Sequence, residues 1–546
     1  MHERLFISLT APFGFLACAA AIVGAVWWWM GAPVPMPAAP LAAGEKLYCV
    51  SYAPFRGDQN PLSDGTHIPA WQIDEDFARL KNVTDCVRSY SIEHGLDQIP
   101  EIARKHGLKV IQGLWLSSNA AKNETQIATT VGLAKRFPDV IQSVVVGNEV
   151  LLRGEISGPD LAGIIRRVKS QVSMPVTYAD VWEFWLRHRE IYDAVDFVTI
   201  HILPYWEDFP IPAEQAAAHV DSIRRQMVAA FPDKEILIGE TGWPSAGRMR
   251  EGALPSLANQ ALVIQGVLAL AKRDKFHVNV IEAFDQPWKR RLEGTVGGYW
   301  GLFDADTREQ KFPWGAAVSN HPHWARQAAG GILFAALIFG VAGLARFRAH
   351  GSLVAPMHLW LAIAANATVA GIFAGLAIER MPVESLGAGG WIRSYALALL
   401  ALIAPLAASA ALMREAVRLP SFAAVLRSLR PHLNDRLVVA LGLLLVALTV
   451  LTLQVALGLV FDPRYKDFPY APLSAAIVPF LLLSLIRGGK GKRGAAEIVA
   501  AATLVLSAVY IVFNESFANW QSLWFCALIV ALALILFRSK DEAAPG

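Results

Sequence analysis

The sequence predicts an α/β protein: a soluble (β/α)8 barrel joined to an all-α domain of membrane-spanning helices. Between residues 45 and 321, eight short apolar runs alternate with amphipathic stretches, and such a barrel typically takes about 250 residues. Beyond Trp324 the chain consists of long apolar runs. Of its 546 residues, 54% are hydrophobic and mean hydropathy is +0.38. That is too apolar for an ordinary soluble protein, yet the middle third is not apolar enough to lie in lipid. Three domains are expected: 1–44, a transmembrane anchor with a Pro-rich linker; 45–321, the barrel; and 322–546, a domain of about seven spans.

Residues 5–30 form one apolar run, with Arg4 before it and a Pro-rich stretch after it. A secretory h-region is only about 7–15 residues long, so this length favours an uncleaved anchor, with Ala42-Ala43 as a weak cleavage point. Arg4 on the cytoplasmic side would leave the barrel exported.

Strands are expected at 47–52, 85–90, 109–114, 141–146, 175–179, 196–202, 235–239 and 278–284, from their apolar, β-branched character. Between them, Asn123 and Gln126 read as a capping box, Pro159 as a first-turn proline and Gly107 as a helix stop. An open doubly wound sheet is the runner-up, but no Gly-rich phosphate loop comes after the first strand.

Seven spans are then expected near 327–345, 357–378, 392–413, 437–460, 471–486, 495–513 and 519–537. Arg346 and Arg348, then Arg414, Arg418, Arg427, Arg430 and Arg436, then Arg487, Lys490, Lys492 and Arg493, and finally Arg538 and Lys540 all fall on one side. The opposite connections hold chiefly Arg380, Arg464 and Lys466. This bias puts the barrel outside and the C-terminus in the cytoplasm of a multi-pass protein.

The formal net charge is only +3 and no basic run is interleaved with aromatics in the soluble part, which argues against nucleic acid as a partner. Cys18 and Cys526 lie in apolar segments, whereas Cys49 and Cys86 fall on neighbouring expected strands. A disulfide is open to that pair outside the cytoplasm, but two buried free thiols are the favoured reading. No Cys/His spacing resembles a zinc site, and neither metal nor cofactor is expected.

Two glutamates carry the chemistry. Ile236-Leu-Ile-Gly-Glu-Thr-Gly-Trp-Pro-Ser245 places Glu240 at the C-terminal end of strand seven, and Val146-Gly-Asn-Glu-Val150 places Glu149 just past strand four. A barrel of parallel strands builds its active site where the strands end, so both acids would face the mouth. Two carboxyls about 5–5.5 Å apart define a retaining glycosidase, in which one is nucleophile and the other acid and then base. Asn148 is placed to bond a sugar 2-OH. Trp243 offers a flat face beside Glu240, although rim packing explains it equally well. Trp182, Trp185, Trp206, Trp288 and Trp300 fall near strand ends, and packing accounts for about half of them. Asp180 could bind a sugar hydroxyl or cap a helix. Glu282 could orient ligands or pair with Lys289. His201 reads as a rim histidine with no obvious carboxylate partner.

These motifs resemble glycoside hydrolase family 17, the β-1,3-glucanase and β-glucanosyltransferase family. Further matches are Val87-Arg-Ser-Tyr90, Pro204-Tyr205-Trp206, Glu282-Ala-Phe-Asp285 with Pro287-Trp288-Lys289, and Trp300-Gly-Leu-Phe303. The resemblance implies that Glu240 is the nucleophile and Glu149 the acid/base, with Tyr90 and Tyr205 as site residues. The charge of Glu240 would raise the Glu149 pKa and so hold its proton. Leu203 stands where plant members usually carry the first tyrosine of Tyr-Pro-Tyr.

An anchor, a family 17 domain and a multispan C-terminus together resemble bacterial inner-membrane proteins of β-1,3/β-1,6-glucan and cyclic glucan synthesis. The resemblance implies a retaining β-glucanosyltransferase at the periplasmic face, remodelling, branching or cyclising β-1,3-glucan beside a separate membrane glucan synthase, with lipid around its spans. A membrane-anchored β-1,3-glucan hydrolase is the alternative. A non-catalytic glucan-binding or transport subunit is the third reading.

Overall fold

In the computed structural model, residues 2–414, 417–428, 436–488 and 494–538 are described. They form two compact units, residues 34–318 and residues 1–33 with 319–546. After helix α1 (His2–Gly31), the chain runs β1 (Cys49–Ser51), α2 (Ala70–Leu80), β2 (Cys86–Arg88), α3 (Ile99–His106), β3 (Lys109–Leu114), α4 (Ala120–Arg136), β4 (Ile141–Asn148), α5 (Gly158–Lys169) and β5 (Val176–Val181). It continues with α6 (Trp182–Arg187), β6 (Val198–His201), α7 (Ala213–Ala230), β7 (Ile236–Thr241), α8 (Leu257–Asp274), β8 (Val278–Val280) and α9 (Arg290–Gly297). The eight strands close into a barrel in chain order, every neighbouring pair parallel, with β8 joined to β1 by Cys49 opposite Asn279. An antiparallel bridge between Val34 and Val318 lies where the chain enters and leaves this unit.

Local sequence explains most element ends. Gly107 adopts φ +70 and stops α3, and Pro159 sits in the first turn of α5 behind the cap Ser157. One expectation fails: the cap of α4 is Asn119, which accepts from Lys122 N at 3.1 Å. Asn123 lies inside the helix, where its side chain accepts from Ser117 N and donates to Ser117 O. An Asn four residues late in the run cannot satisfy the first-turn amides, so the earlier one does.

Period-two alternation sorts side chains between the barrel's inside and the helix layer. Val50, Val87, Val144, Ile200 and Ile238 pack in the large core shared with the helices, whereas Cys49, Cys86, Ile111, Val145, Ala179 and Leu237 form a separate cluster. Cys49 and Cys86 form a disulfide, contrary to the free-thiol reading. Val50 and Val87 are partnered in register, so the residues before them stand side by side and both point inward. Which way the side chains faced decided the matter.

The second unit holds α1 with α10 (Trp324–His350), α11 (Met357–Glu384), α12 (Gly387–Leu412), α13 (Phe422–Ser428), α14 (Arg436–Phe461), α15 (Tyr470–Arg487), α16 (Ala495–Glu515) and α17 (Trp520–Arg538). Among the described residues, eight helices are long and apolar enough to cross a membrane, and seven of them cover the seven stretches expected after Trp324. Arg430, Lys490, Lys492, Arg493 and Lys540 lie outside the described residues. Small residues set the packing: a Cβ on Gly331 of α10 would lie 2.2 Å from the Gly371 carbonyl of α11, so only glycine permits this approach.

Candidate active site

The inner faces of four strands deliver the site. Gly147 has φ +87 and Glu149 itself φ +53, a left-handed turn that a non-glycine residue adopts at a cost of about 1–3 kcal/mol and that clusters at functional sites. It carries the Glu149 side chain back over the strand ends, where 24% of it stays exposed. Glu240, on β7, has only 6% of its side chain exposed. One carboxylate oxygen of each lies within 4.8 Å of the other and of a His201 ring nitrogen. The structure therefore brings the two expected acids together.

His201 links them. Its Nδ1 lies 2.8 Å from Glu149 Oε1 and its Nε2 3.5 Å from Glu240 Oε1. Arg88 Nη1 lies 3.3 Å from Nε2, so both ring nitrogens are engaged, Nδ1 with Glu149 and Nε2 beside the Arg88–Glu240 pair. The reading of His201 as a rim residue without a carboxylate partner is thus overturned: it is fully buried between both acids. β6 and β7 are neighbours and His201 is partnered with Glu240 in register, a pairing that shows only once the strands are aligned.

Arg88 was the larger omission. Buried at the top of β2, its guanidinium donates to Asn148 Oδ1 at 2.6 Å, Gly239 O at 2.7 Å and Glu240 Oε1 at 3.4 Å. A Cβ on Gly239 would sit 2.4 Å from Thr199 Cγ2 and 3.3 Å from Arg88 Nη1, so glycine makes the room this arginine uses. Tyr90, two residues on and hence on the same face, donates to Glu240 Oε1 at 2.7 Å. Ser51 shares a 2.7 Å bond with the Tyr90 hydroxyl, and Asn279 Nδ2 donates to Ser51 Oγ and Gly239 O. Every one of these Glu240 contacts falls on Oε1, which leaves Oε2 for a ligand. Asn148 likewise spends its Oδ1 on Arg88, so its Nδ2 is the end available to a hydroxyl.

Burial pushes the Glu149 carboxyl up, but the hydrogen bond and charge of His201, with Arg153 and Arg88 nearby, outweigh it and leave the group below its ordinary value. This is opposite to the direction expected from Glu240 alone, because the sequence did not reveal how many cations surround Glu149. Burial above all, and the nearby Glu240 charge, raise the Tyr90 hydroxyl well above its usual range, so Tyr90 acts as a donor. Glu282 pairs with Lys289 at 2.8 Å, yet burial pushes it up to about 7.

Several expected ligand contacts fare differently. Tyr205 and Trp243 are wholly buried. The Tyr205 hydroxyl donates to Arg248 O at 2.9 Å, and Trp243 Nε1 to Leu254 O at 3.1 Å, with the two rings edge to face. Neither offers a face to a ligand here; both support the loop after β7. Trp185 and Trp300 are also buried, while Trp182, Trp206 and Trp288 are half-buried. Asp180 is buried and raised to about 6 by desolvation. Its oxygens accept from Tyr178 Oη, Leu152 N at 3.4 Å and Val181 N at 2.8 Å, which fixes the loop carrying Glu149 rather than capping α6.

Residues 49–301 match the family model described as the BtgE/BtgC glycoside hydrolase domain. The chain is 30% identical over 226 residues to the probable beta-glucosidase btgE of Aspergillus fumigatus, covering 40% of this chain and 39% of that protein. It is 26% identical over 266 residues to the glucan 1,3-beta-glucosidase of Candida albicans, covering 44% and 86%. The glycoside hydrolase family 17 beta-1,3-glucanosyltransferase of Rhizomucor miehei aligns at 24% identity and a TM-score of 0.44, over 48% of this chain and 95% of that one. The chain thus spans only about two fifths of the length of its Aspergillus relative. Over residues 49–301 the barrel of this chain is thus similar to the BtgE/BtgC glycoside hydrolase domain.

Proposed function

We propose that the protein is a retaining β-glucanosyltransferase acting on β-1,3-glucan, with Glu240 as nucleophile and Glu149 as acid/base. The observation that carries this reading is the approach of the two carboxylates within 4.8 Å, which suits direct attack on the sugar and leaves no room for the water an inverting enzyme places between wider-set acids. Glu240 Oε2 forms a bond to the anomeric carbon as the glycosidic C–O bond breaks, and the departing oxygen takes a proton from Glu149. An acceptor hydroxyl then gives its proton to Glu149 and attacks the same carbon, releasing Glu240. Arg88 and Tyr90 hold the nucleophile's other oxygen, so the side chain is already oriented when substrate arrives. A bound sugar would also strip water from the partly exposed Glu149, which favours its protonated form for the first step.

The choice of substrate rests on the names of the fungal relatives, a probable beta-glucosidase and a glucan 1,3-beta-glucosidase. We place the enzyme in a bacterial cytoplasmic membrane with the barrel on the periplasmic side, next to a separate glucan synthase. The eight apolar helices support this placement. An even number of crossings with the barrel after the first puts both termini on the opposite face. The Cys49–Cys86 disulfide suits an oxidising compartment.

Incubating the detergent-purified full chain with β-1,3-linked gluco-oligosaccharides, then analysing the products by mass and linkage, tests the reading. Products longer than the substrate, or bearing new linkages such as β-1,6, are expected. Exclusively shorter products would make it a membrane-anchored hydrolase. No turnover with retained binding would leave a glucan-capturing subunit.

A further inference from the structure

Trp71 is 63% exposed in the first turn of α2, and helices of this fold begin at the face where the strands end. Single exposed apolar residues are ordinary. This one continues a line of side chains that starts at Glu240. Lys289 and Glu282, paired at 2.8 Å, both feel that carboxylate, and Lys289 Nζ lies 5.9 Å from the centre of the Trp288 ring. Trp288 is next, half-buried, its indole Nε1 donating to Gln286 Oε1 at 2.9 Å and its ring 6.1 Å from Phe55 at 74°. Arg56 adjoins Phe55 in the chain and lies 6.0 Å from the centre of the Trp71 ring. The line passes from β7 over β8 and β1 to α2, which are consecutive around the barrel.

The outer part of this line is held rigidly. Arg56 bonds Glu75 at 2.9 Å and Asp76 at 2.6 Å, both on the helix that carries Trp71. Gln72 Nε2 donates to Pro54 O at 2.6 Å, tying the segment after β1 to α2. Farther along that segment, the ring nitrogens of His94 meet Thr66 O and Pro61 O, each at 2.9 Å. An aromatic side chain on a braced helix loses only its own rotamer freedom on binding, and the apolar C–H face of a pyranose is its natural complement.

The geometry points to Trp71, with Arg56 beside it, as an outer subsite for a β-glucan chain whose reacting sugar sits at Glu240 and whose body runs over Trp288. The protein then favours oligosaccharides long enough to span that distance. This rests on the glucan reading above.

The test compares kcat/KM for the β-1,3-linked trisaccharide and hexasaccharide of glucose, using the full chain in detergent. Wild type is expected to gain from the added length. Trp71→Ala should cut that gain by about five- to tenfold, of the order of one lost aromatic contact, and Trp71→Phe should restore most of it. An unchanged gain in Trp71→Ala overturns the subsite and leaves the glucan reading standing, as does an equal loss on both substrates. Wild type that acts on neither sugar overturns both.

Discussion

The barrel and the helical unit bury polar groups in opposite styles. In the barrel, Arg88, Asn148, His201, Glu240 and Glu149 bond one another across four strands, and the free ends of the carboxylates and the amide are left for something else. In the helical unit, Asn366 turns its amide to Pro405 O at 3.0 Å and Ser409 Oγ at 2.7 Å, while Thr449 and Ser474 bond backbone carbonyls one turn back in their own helices. The donors of these three side chains are matched to neighbouring acceptors, while Asn366 Oδ1 and Thr452 Oγ1, unmatched among the described residues, are neutral. The contrast teaches that buried polarity signals chemistry when charged groups converge with acceptors to spare, and signals assembly when each donor is matched at once to a neighbouring backbone.

The sharpest way to break this contrast is Glu240→Gln. It should lower turnover by at least about a thousandfold while leaving the fold intact by circular dichroism, and near-normal activity would remove the nucleophile from the account. Next comes Cys49→Ser with Cys86→Ser, which releases a loop of 37 residues and should cost about 3–4 kcal/mol of barrel stability, read as a lower melting temperature. Calorimetry should show that loss in the barrel transition and not in the helical one.

His201→Ala sharpens the electrostatic half. It removes the bond and charge that hold Glu149 below its ordinary value, so the Glu149 pKa rises and the acid form survives to higher pH. Beneath a reduced overall rate, the alkaline limb of kcat/KM should move to higher pH; an unmoved limb would mean that His201 does not control Glu149. The smallest effect belongs to Asn366→Leu, which should destabilise the helical unit by about 0.6–1.7 kcal/mol and leave glycan turnover alone.

Much of the barrel was legible because strands covered on both faces read as short apolar runs, and the two glutamates because they come directly after such runs. The Cys49–Cys86 pairing, by contrast, depends on register, which strands of three residues specify too weakly in sequence. His201 was misjudged for the same reason: its partners come from strands other than its own. Tyr205 and Trp243 were read as ligand contacts because motif position says nothing about burial, and the loop after β7 together with Trp206 and Trp300 covers Tyr205. Arg88 could have been found, since it alternates with Cys86 and Tyr90 on one face of its strand.

Val34 N donates to Val318 O at 2.8 Å and Val318 N to Val34 O at 3.0 Å, so the 285 residues of the barrel unit begin and end on two residues bonded to each other. A segment that starts and stops at one spot is a cassette, open to replacement by a short turn. Each half can then be gained, lost or exchanged as a block without redesigning the other.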